Sequence, residues 1–334
     1  MNNYLSNFPL HRARRLRSNK WIRHLVKETI ISVKDFIYPI FVSYKSKSTE
    51  IKSMPGIFRY NIEEAVDVSI QAKELGIKAI AIFPEVPVEL KDESGSEALK
   101  KNNVICKLVE KIKTSCPTLG IICDVALDPY TLSGHDGVIE NGLIVNDKTV
   151  DILCEQALTV AQAGCDIVAP SDMMDGRILK IRNYLDKNNK ENTLIMSYTA
   201  KYSSSLYTPF REAISASSNL GSDKKKSYQM DFSNINEALK EAAMDIKEGA
   251  DILLVKPGIM YLDVLKEIKS NFKFPTFSYQ VSGEYSMIKN AIIAGTFRQE
   301  DILLETAISF KRAGADAIIS YFALDTAKIL KNGY

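Results

Sequence analysis

The sequence predicts an α/β protein, a single (β/α)8 TIM barrel with an extended N-terminal arm, on three observations. Buried-strand patterns and helical patterns alternate eight times in about 300 residues, which calls for a parallel sheet with right-handed crossovers. Glycines (76, 164, 249 and 314) close four of the helical patterns, as left-handed C-terminal caps require. No Gly-x-Gly-x-x-Gly follows the first strand, which argues against a dinucleotide-binding sheet.

Residues 1 to about 30 form the arm. Arg12, Arg14, Arg15, Arg17, Lys20, Arg23 and Lys27 precede the first acid, Glu28, while Leu10, Leu16, Trp21, Ile22, Leu25 and Val26 supply apolar anchors. That mixture predicts an arm that packs on a partner subunit. Residues 31–334 form the catalytic barrel. Its strands are predicted at Phe36–Val42, Ile77–Phe83, Gly120–Leu127, Asp166–Ala169, Leu194–Thr199, Asp251–Val255, Thr276–Val281 and Ala315–Tyr321. Helical periodicity spans Ile62–Leu75, Asn103–Thr114, Lys148–Ala163, Arg177–Asn188, Ile235–Glu248, Tyr261–Asn271, Tyr285–Ala294 and Gln299–Ala313. A long insertion at about 202–234 reads as an active-site lid.

Composition narrows the function. With 43 basic and 41 acidic residues the net charge is only +2, so no nucleic-acid partner is expected. No run of about 18 apolar residues occurs and Met1–Arg17 has no apolar signal segment, so no membrane association is expected. The five cysteines include no Cys-x-x-Cys and read as reduced thiols of a cytoplasmic protein.

Barrel enzymes carry their chemistry at the C-terminal ends of strands. Asp251-Ile-Leu-Leu-Val255 is a strand buried on both faces, and Lys256 ends it before Pro257-Gly258. A lysine half in an apolar wall has a depressed pKa, and its amine can attack a ketone to form a Schiff base. Lys201 follows another buried strand in the equivalent place, so two amines are expected in one site. Alternation puts Asp124, Ala126 and Asp128 on one face of the third strand, where they can share that site. Arg211 and Lys224, Lys225 or Lys226 suit a substrate carboxylate, and Ser282 and Tyr321 offer hydroxyls to a second one.

The strings Asp251–Tyr261 (DILLVKPGIMY), Tyr279–Tyr285 (YQVSGEY), Arg312–Ala323 (RAGADAIISYFA), Ala169–Arg177 (APSDMMDGR) and Phe210–Ala213 (FREA) resemble the porphobilinogen synthase (5-aminolevulinate dehydratase) family over nearly the whole chain. The resemblance implies condensation of two 5-aminolevulinate molecules to porphobilinogen in tetrapyrrole (heme) synthesis, with loss of two waters. It makes Lys256 and Lys201 the Schiff-base lysines, Arg211 and Lys225 the clamp for one substrate carboxylate, and Ser282 and Tyr321 the clamp for the other.

One departure concerns metal. Where zinc-dependent members carry three cysteines, this chain has Ala126, Asp128 and Asp136, so an active-site Zn2+ is not expected. The resemblance points instead to the magnesium-type subgroup, with an allosteric Mg2+ held through Glu241, and to a homo-oligomer, an octamer built by arm exchange. Two rival readings need fewer of these residues. An imine-forming aldolase needs one lysine and a phosphate site, and an inactive assembly barrel needs neither lysine at a strand end.

Overall fold

The computed structural model describes residues 8–215 and 224–332. The arm holds a short helix, α1 (Lys20–Leu25). There follow β1 (Phe36–Ser43), β2 (Thr49–Glu50), β3 (Phe58–Tyr60), α2 (Ile62–Leu75), β4 (Ala79–Glu85) and α3 (Val104–Ser115). Next come β5 (Gly120–Val125), β6 (Ile139–Glu140), β7 (Leu143–Ile144), α4 (Asn146–Ala163), β8 (Ile167–Pro170), α5 (Arg177–Lys187) and β9 (Leu194–Lys201). The remaining elements are α6 (Thr208–Ala213), α7 (Asn236–Glu248), β10 (Ile252–Lys256), α8 (Leu262–Phe272), β11 (Thr276–Gln280), α9 (Ser282–Ile293), α10 (Gln299–Ala313), β12 (Ala317–Ser320) and α11 (Ala323–Lys331).

Strands β1, β4, β5, β8, β9, β10, β11 and β12 pair in parallel in that order. The ring closes where β12 meets β1 at Phe36↔Ile318 and Ile37↔Ile319. This is the eight-stranded barrel the alternation predicts.

Pleating sorts the side chains into two cores. On β10, Ile252 and Leu254 face the barrel interior with Phe41, Phe83 and Tyr279. Leu253 and Val255 face outward, into the layer beneath the helices. One irregularity breaks the ring's regular register: Leu253 stands opposite Ser197, but Val255 stands opposite Ala200. Strand β9 therefore spends three residues where β10 spends two, the mark of a β-bulge.

Three local differences from the sequence reading stand out. Helix α9 begins at Ser282 rather than Tyr285, because the Glu284 carboxylate reaches back to accept the Val281 N–H at 2.8 Å. Gly283 permits that start against the segment after β9, since a Cβ there would lie 2.6 Å from the Leu206 carbonyl oxygen. The predicted lid contains helix α6, and part of it, residues 216–223, lies outside the described residues. Helix α11 has only small residues, Ala323 and Ala327, among its buried apolar positions, so its periodicity is faint in the sequence.

Residues 8–30 of the arm pack little of themselves on the barrel. Phe8, Leu10, Leu16, Trp21, Leu25 and Ile30 are all exposed, Trp21 by 64%. No helix among the described residues is long and apolar enough to cross a membrane.

Candidate active site

Lys201 and Lys256 are the last residues of β9 and β10, and they stand directly opposite each other in the register of the two strands. Both side chains are about 5% exposed. Their surroundings differ. The Lys256 amine lies 4.8–5.2 Å from the ring centres of Phe210, Tyr279, Tyr207 and Tyr198. Burial, reinforced by the charge of Lys201, pulls its pKa from 10.5 down to about 7, against the opposing pull of Asp124, Asp128 and Asp136.

Lys201 is held by ions rather than rings. It donates to Asp136 Oδ1 at 2.9 Å and to the Ser171 carbonyl. Asp136 is fully buried, and its other oxygen meets Lys225 Nζ at 2.9 Å and accepts from the Tyr228 hydroxyl at 2.8 Å. Burial would raise the Asp136 pKa, but Lys201 and Lys225 outweigh it and hold the carboxyl well below its usual range. Asp128 lies 3.5 Å from Lys225 Nζ; burial first and Asp136 second raise it. Asp124 is raised to about 7, by burial and then by Asp128, and its Oδ1 has no hydrogen-bond partner. Strand β5 ends at Val125, short of the predicted Leu127, so Asp124 reaches the lysines from the strand and Asp128 from the loop that follows it.

The carboxylate clamps are placed less uniformly. Lys225 is buried and aims inward at Asp128 and Asp136, whereas Lys226 lines an outer cleft of about 830 Å³ with Arg211. The side chain of Lys224 lies outside the described residues. Tyr321 stacks on Phe41, with ring centres 5.8 Å apart, and shares a 2.8 Å hydrogen bond with the Tyr279 hydroxyl. Ser282 Oγ accepts from the Phe210 N–H at 2.9 Å, so it tethers α6, the helix that carries Arg211.

The four rings around Lys256, Tyr228 and Glu284 were not singled out in the sequence. The inward parity of Tyr198 and Tyr279 on their strands was a readable signal. The loop-to-barrel contacts of Tyr207, Phe210 and Tyr228 were not. Glu284 accepts from the backbone N–H groups of Gly258, Ile259, Met260 and Val281, fixing the loop that follows Lys256. Its burial raises it to about 7 against the pull of those donors.

Glu241 is half-buried on α7 and lines a separate cleft of about 680 Å³ with Asp175 and Glu237. Burial, then the neighbouring Asp245, Asp175 and Glu237, raise its pKa, while Arg177 opposes them. The five cysteines are buried free thiols.

A family model for delta-aminolevulinic acid dehydratase matches residues 10–329. The chain is 48% identical over 321 residues to the delta-aminolevulinic acid dehydratase of Bradyrhizobium diazoefficiens, covering 96% of this chain and 91% of that protein. It is 49% identical over 317 residues to the corresponding protein of Methanothermus sociabilis, covering 95% and 97%. The fold matches the crystal structure of delta-aminolevulinic acid dehydratase (porphobilinogen synthase) from Toxoplasma gondii ME49 in complex with the product porphobilinogen. There the TM-score is 0.93 at 45% identity, over 95% of this chain and 91% of that one.

Proposed function

Since the chain belongs to the delta-aminolevulinic acid dehydratase family, we propose that its condensation of two 5-aminolevulinate molecules to porphobilinogen runs through Schiff bases on Lys256 and Lys201. The protein is a hydro-lyase of heme biosynthesis. The observation that carries the proposal is the pair of amines opposite each other on neighbouring strand ends.

Lys256 adds first. With its pKa near 7, a large share of its amine is neutral and nucleophilic at physiological pH. Attack on the ketone carbon gives a carbinolamine; loss of water leaves a cationic imine inside a ring of four aromatic faces, which favour a cation there. Asp124, also near 7, can carry the proton that the departing hydroxyl needs. Lys201 is engaged by Asp136 and forms its imine second. Ser282 and Tyr321 receive the first substrate's carboxylate, Arg211 and Lys225 the second's. Borohydride added during turnover is expected to fix substrate to Lys256 first and then to Lys201, by peptide mass mapping. Adducts confined to other lysines, with full turnover in Lys256→Ala, would overturn the proposal.

A pH prediction follows from the same group. kcat/KM is expected to peak near pH 7, falling above it as Asp124 loses the proton it donates and rising to it on a limb set by the deprotonation of Lys256. Because the Asp124 charge opposes the depression, Asp124→Asn should move that limb to lower pH. A limb that stays in place in the variant, in initial-rate profiles, assigns it to another group.

We assign the enzyme to the magnesium-type subgroup. Ala126 has no donor, and Asp128 and Asp136 already face the ammonium groups of Lys225 and Lys201. A zinc ion at these positions would lack thiolates and meet two cations. Glu241 fits a magnesium ion better. Its carboxylate neighbours repel it when all are charged, and Mg2+ keeps several waters around one or two carboxylates. Bound there, the ion would act from outside the reaction centre. Activity is expected to survive zinc-selective chelation, and Glu241→Ala should lose magnesium stimulation while keeping measurable turnover. A parent-like magnesium response in that variant rules Glu241 out.

The exposed apolar side chains of residues 8–30 support a homo-oligomer, with an octamer as the assembly we propose. Light scattering on a chain lacking residues 1–27 should report smaller particles. A cytoplasmic location is proposed from the five free thiols.

A further inference from the structure

Lys201 has the wrong parity for its site. Ile195 points into the outer core, Met196 and Tyr198 into the barrel, so strict alternation would turn residue 201 outward with 195 and 197. The extra residue of β9 reverses this. Ala200 joins the outer core, and Lys201 turns inward opposite Lys256. A bulge near an active site re-aims the side chain beyond it.

What holds that bulge lies on the far side of the strand. Helix α7 presents Ala238, Ala242 and Asp245 as its buried residues, an acid among alanines. Asp245 is 3% exposed, and its Oδ2 accepts from Ser197 Oγ at 2.6 Å and from Thr199 Oγ1 at 2.7 Å. These are the residues on either side of Tyr198, spanning the step where the register shifts. Arg177, equally buried, completes the grip by donating to Ser197 Oγ at 3.2 Å and to the Tyr198 carbonyl at 3.4 Å. A carboxylate accepting two hydroxyls across a bulge stabilises that conformation over the regular strand, in which Lys201 would face the helices.

We propose that Asp245 is a positioning residue: through Ser197 and Thr199 it fixes the bulge of β9 and so aims Lys201, but not Lys256, into the reaction centre. The proposal rests on the reading of Lys201 as an imine lysine, and its test separates the two. Borohydride trapping with 5-aminolevulinate, followed by peptide mapping, is applied to Asp245→Asn, Thr199→Val and Thr199→Ser in the full-length protein. The ratio of Lys201 to Lys256 adducts is expected to fall about tenfold or more in the first two variants. It should return to the parent's value in Thr199→Ser, which keeps the hydroxyl. Thr199→Val preserves the branched shape and guards against a general folding defect in Asp245→Asn. A parent-like ratio in both Asp245→Asn and Thr199→Val overturns the proposal. Hydrogen exchange over residues 197–202 supplies the independent reading. Faster exchange there than in β10 supports the role of Asp245, and unchanged protection overturns it. If the parent itself gives no Lys201 adduct, the imine role of Lys201 fails while the exchange measurement still decides whether Asp245 holds the bulge.

Discussion

Lys256→Met is expected to abolish porphobilinogen formation and, at neutral pH, to make the protein more stable. The kinetic loss should be on the order of 10⁴-fold or more, because covalent catalysis at this position has no substitute amine in line with the substrate. The stability gain has the opposite origin. Lys256 has a folded-state pKa near 7 and an unfolded one near the ordinary 10.5, so between those values the unfolded chain binds more protons. Stability of the parent therefore climbs with pH across that window, and the full cost of burying the amine is felt at and below pH 7. Methionine fills the same space among four rings without charge. The expected gain at pH 7 is about 1–4 kcal/mol, less what the rings contribute to the cation. Thermal melts of both proteins at pH 7 and pH 10 check this. The difference should shrink at the higher pH, and a variant less stable than the parent at pH 7 contradicts the argument.

Asp136→Asn is expected to do damage on both counts. The parent carboxylate sits 2.9 Å from Lys201 Nζ and 2.9 Å from Lys225 Nζ, fully buried. An amide leaves the buried Lys201 ammonium without its counter-charge and Lys225 with Asp128 alone, and breaking a buried pair costs about 3–5 kcal/mol. Activity should drop by roughly 10²–10³-fold, since Lys201 loses its anchor and Lys225 its orientation. The pH dependence has a fixed sign. A depressed folded-state pKa contributes stability above the ordinary carboxyl value, and that contribution disappears as pH falls through the depressed one. The gap between parent and variant should thus be constant above about pH 4 and close as pH falls below it. Chemical denaturation from pH 3 to 8 measures it; equal midpoints at pH 7 would mean that the ion pairs add nothing.

Much of the barrel was legible because its strands are long apolar runs and its helices end at glycines. Helices α2 and α10 coincide with the predicted Ile62–Leu75 and Gln299–Ala313. The two hairpins were not, since strands of two or three residues carry too few positions for a period. Within the site, Lys256 was readable from its own strand, where alternation runs true to the last residue. Lys201 was found by its place after a strand, but its direction was not readable. The bulge before it depends on Asp245, 44 residues further along the chain, and on Arg177, 24 residues before it. Likewise Asp136 looks like a loop acid until folding brings Lys225 and Tyr228 against it.

The register of Lys201 against Lys256 has a kinetic consequence of its own. Neighbouring strands of a sheet lie about 4.8 Å apart, a spacing set by backbone hydrogen bonds and not by either side chain. Two substrates attached to those side chains no longer search for each other through solution. Their encounter is replaced by rotations about a few bonds, and well-oriented partners of this kind react as if present at about 10⁵–10⁸ M, equivalent to roughly 7–11 kcal/mol of barrier. The strand pair therefore acts as a ruler, and condensation rate should depend on substrate concentration only through loading of the two amines. Lengthening either tether by one methylene, by alkylating a cysteine placed at 201 or 256 to an aminoalkyl thioether, is a direct way to read the tolerance of that ruler.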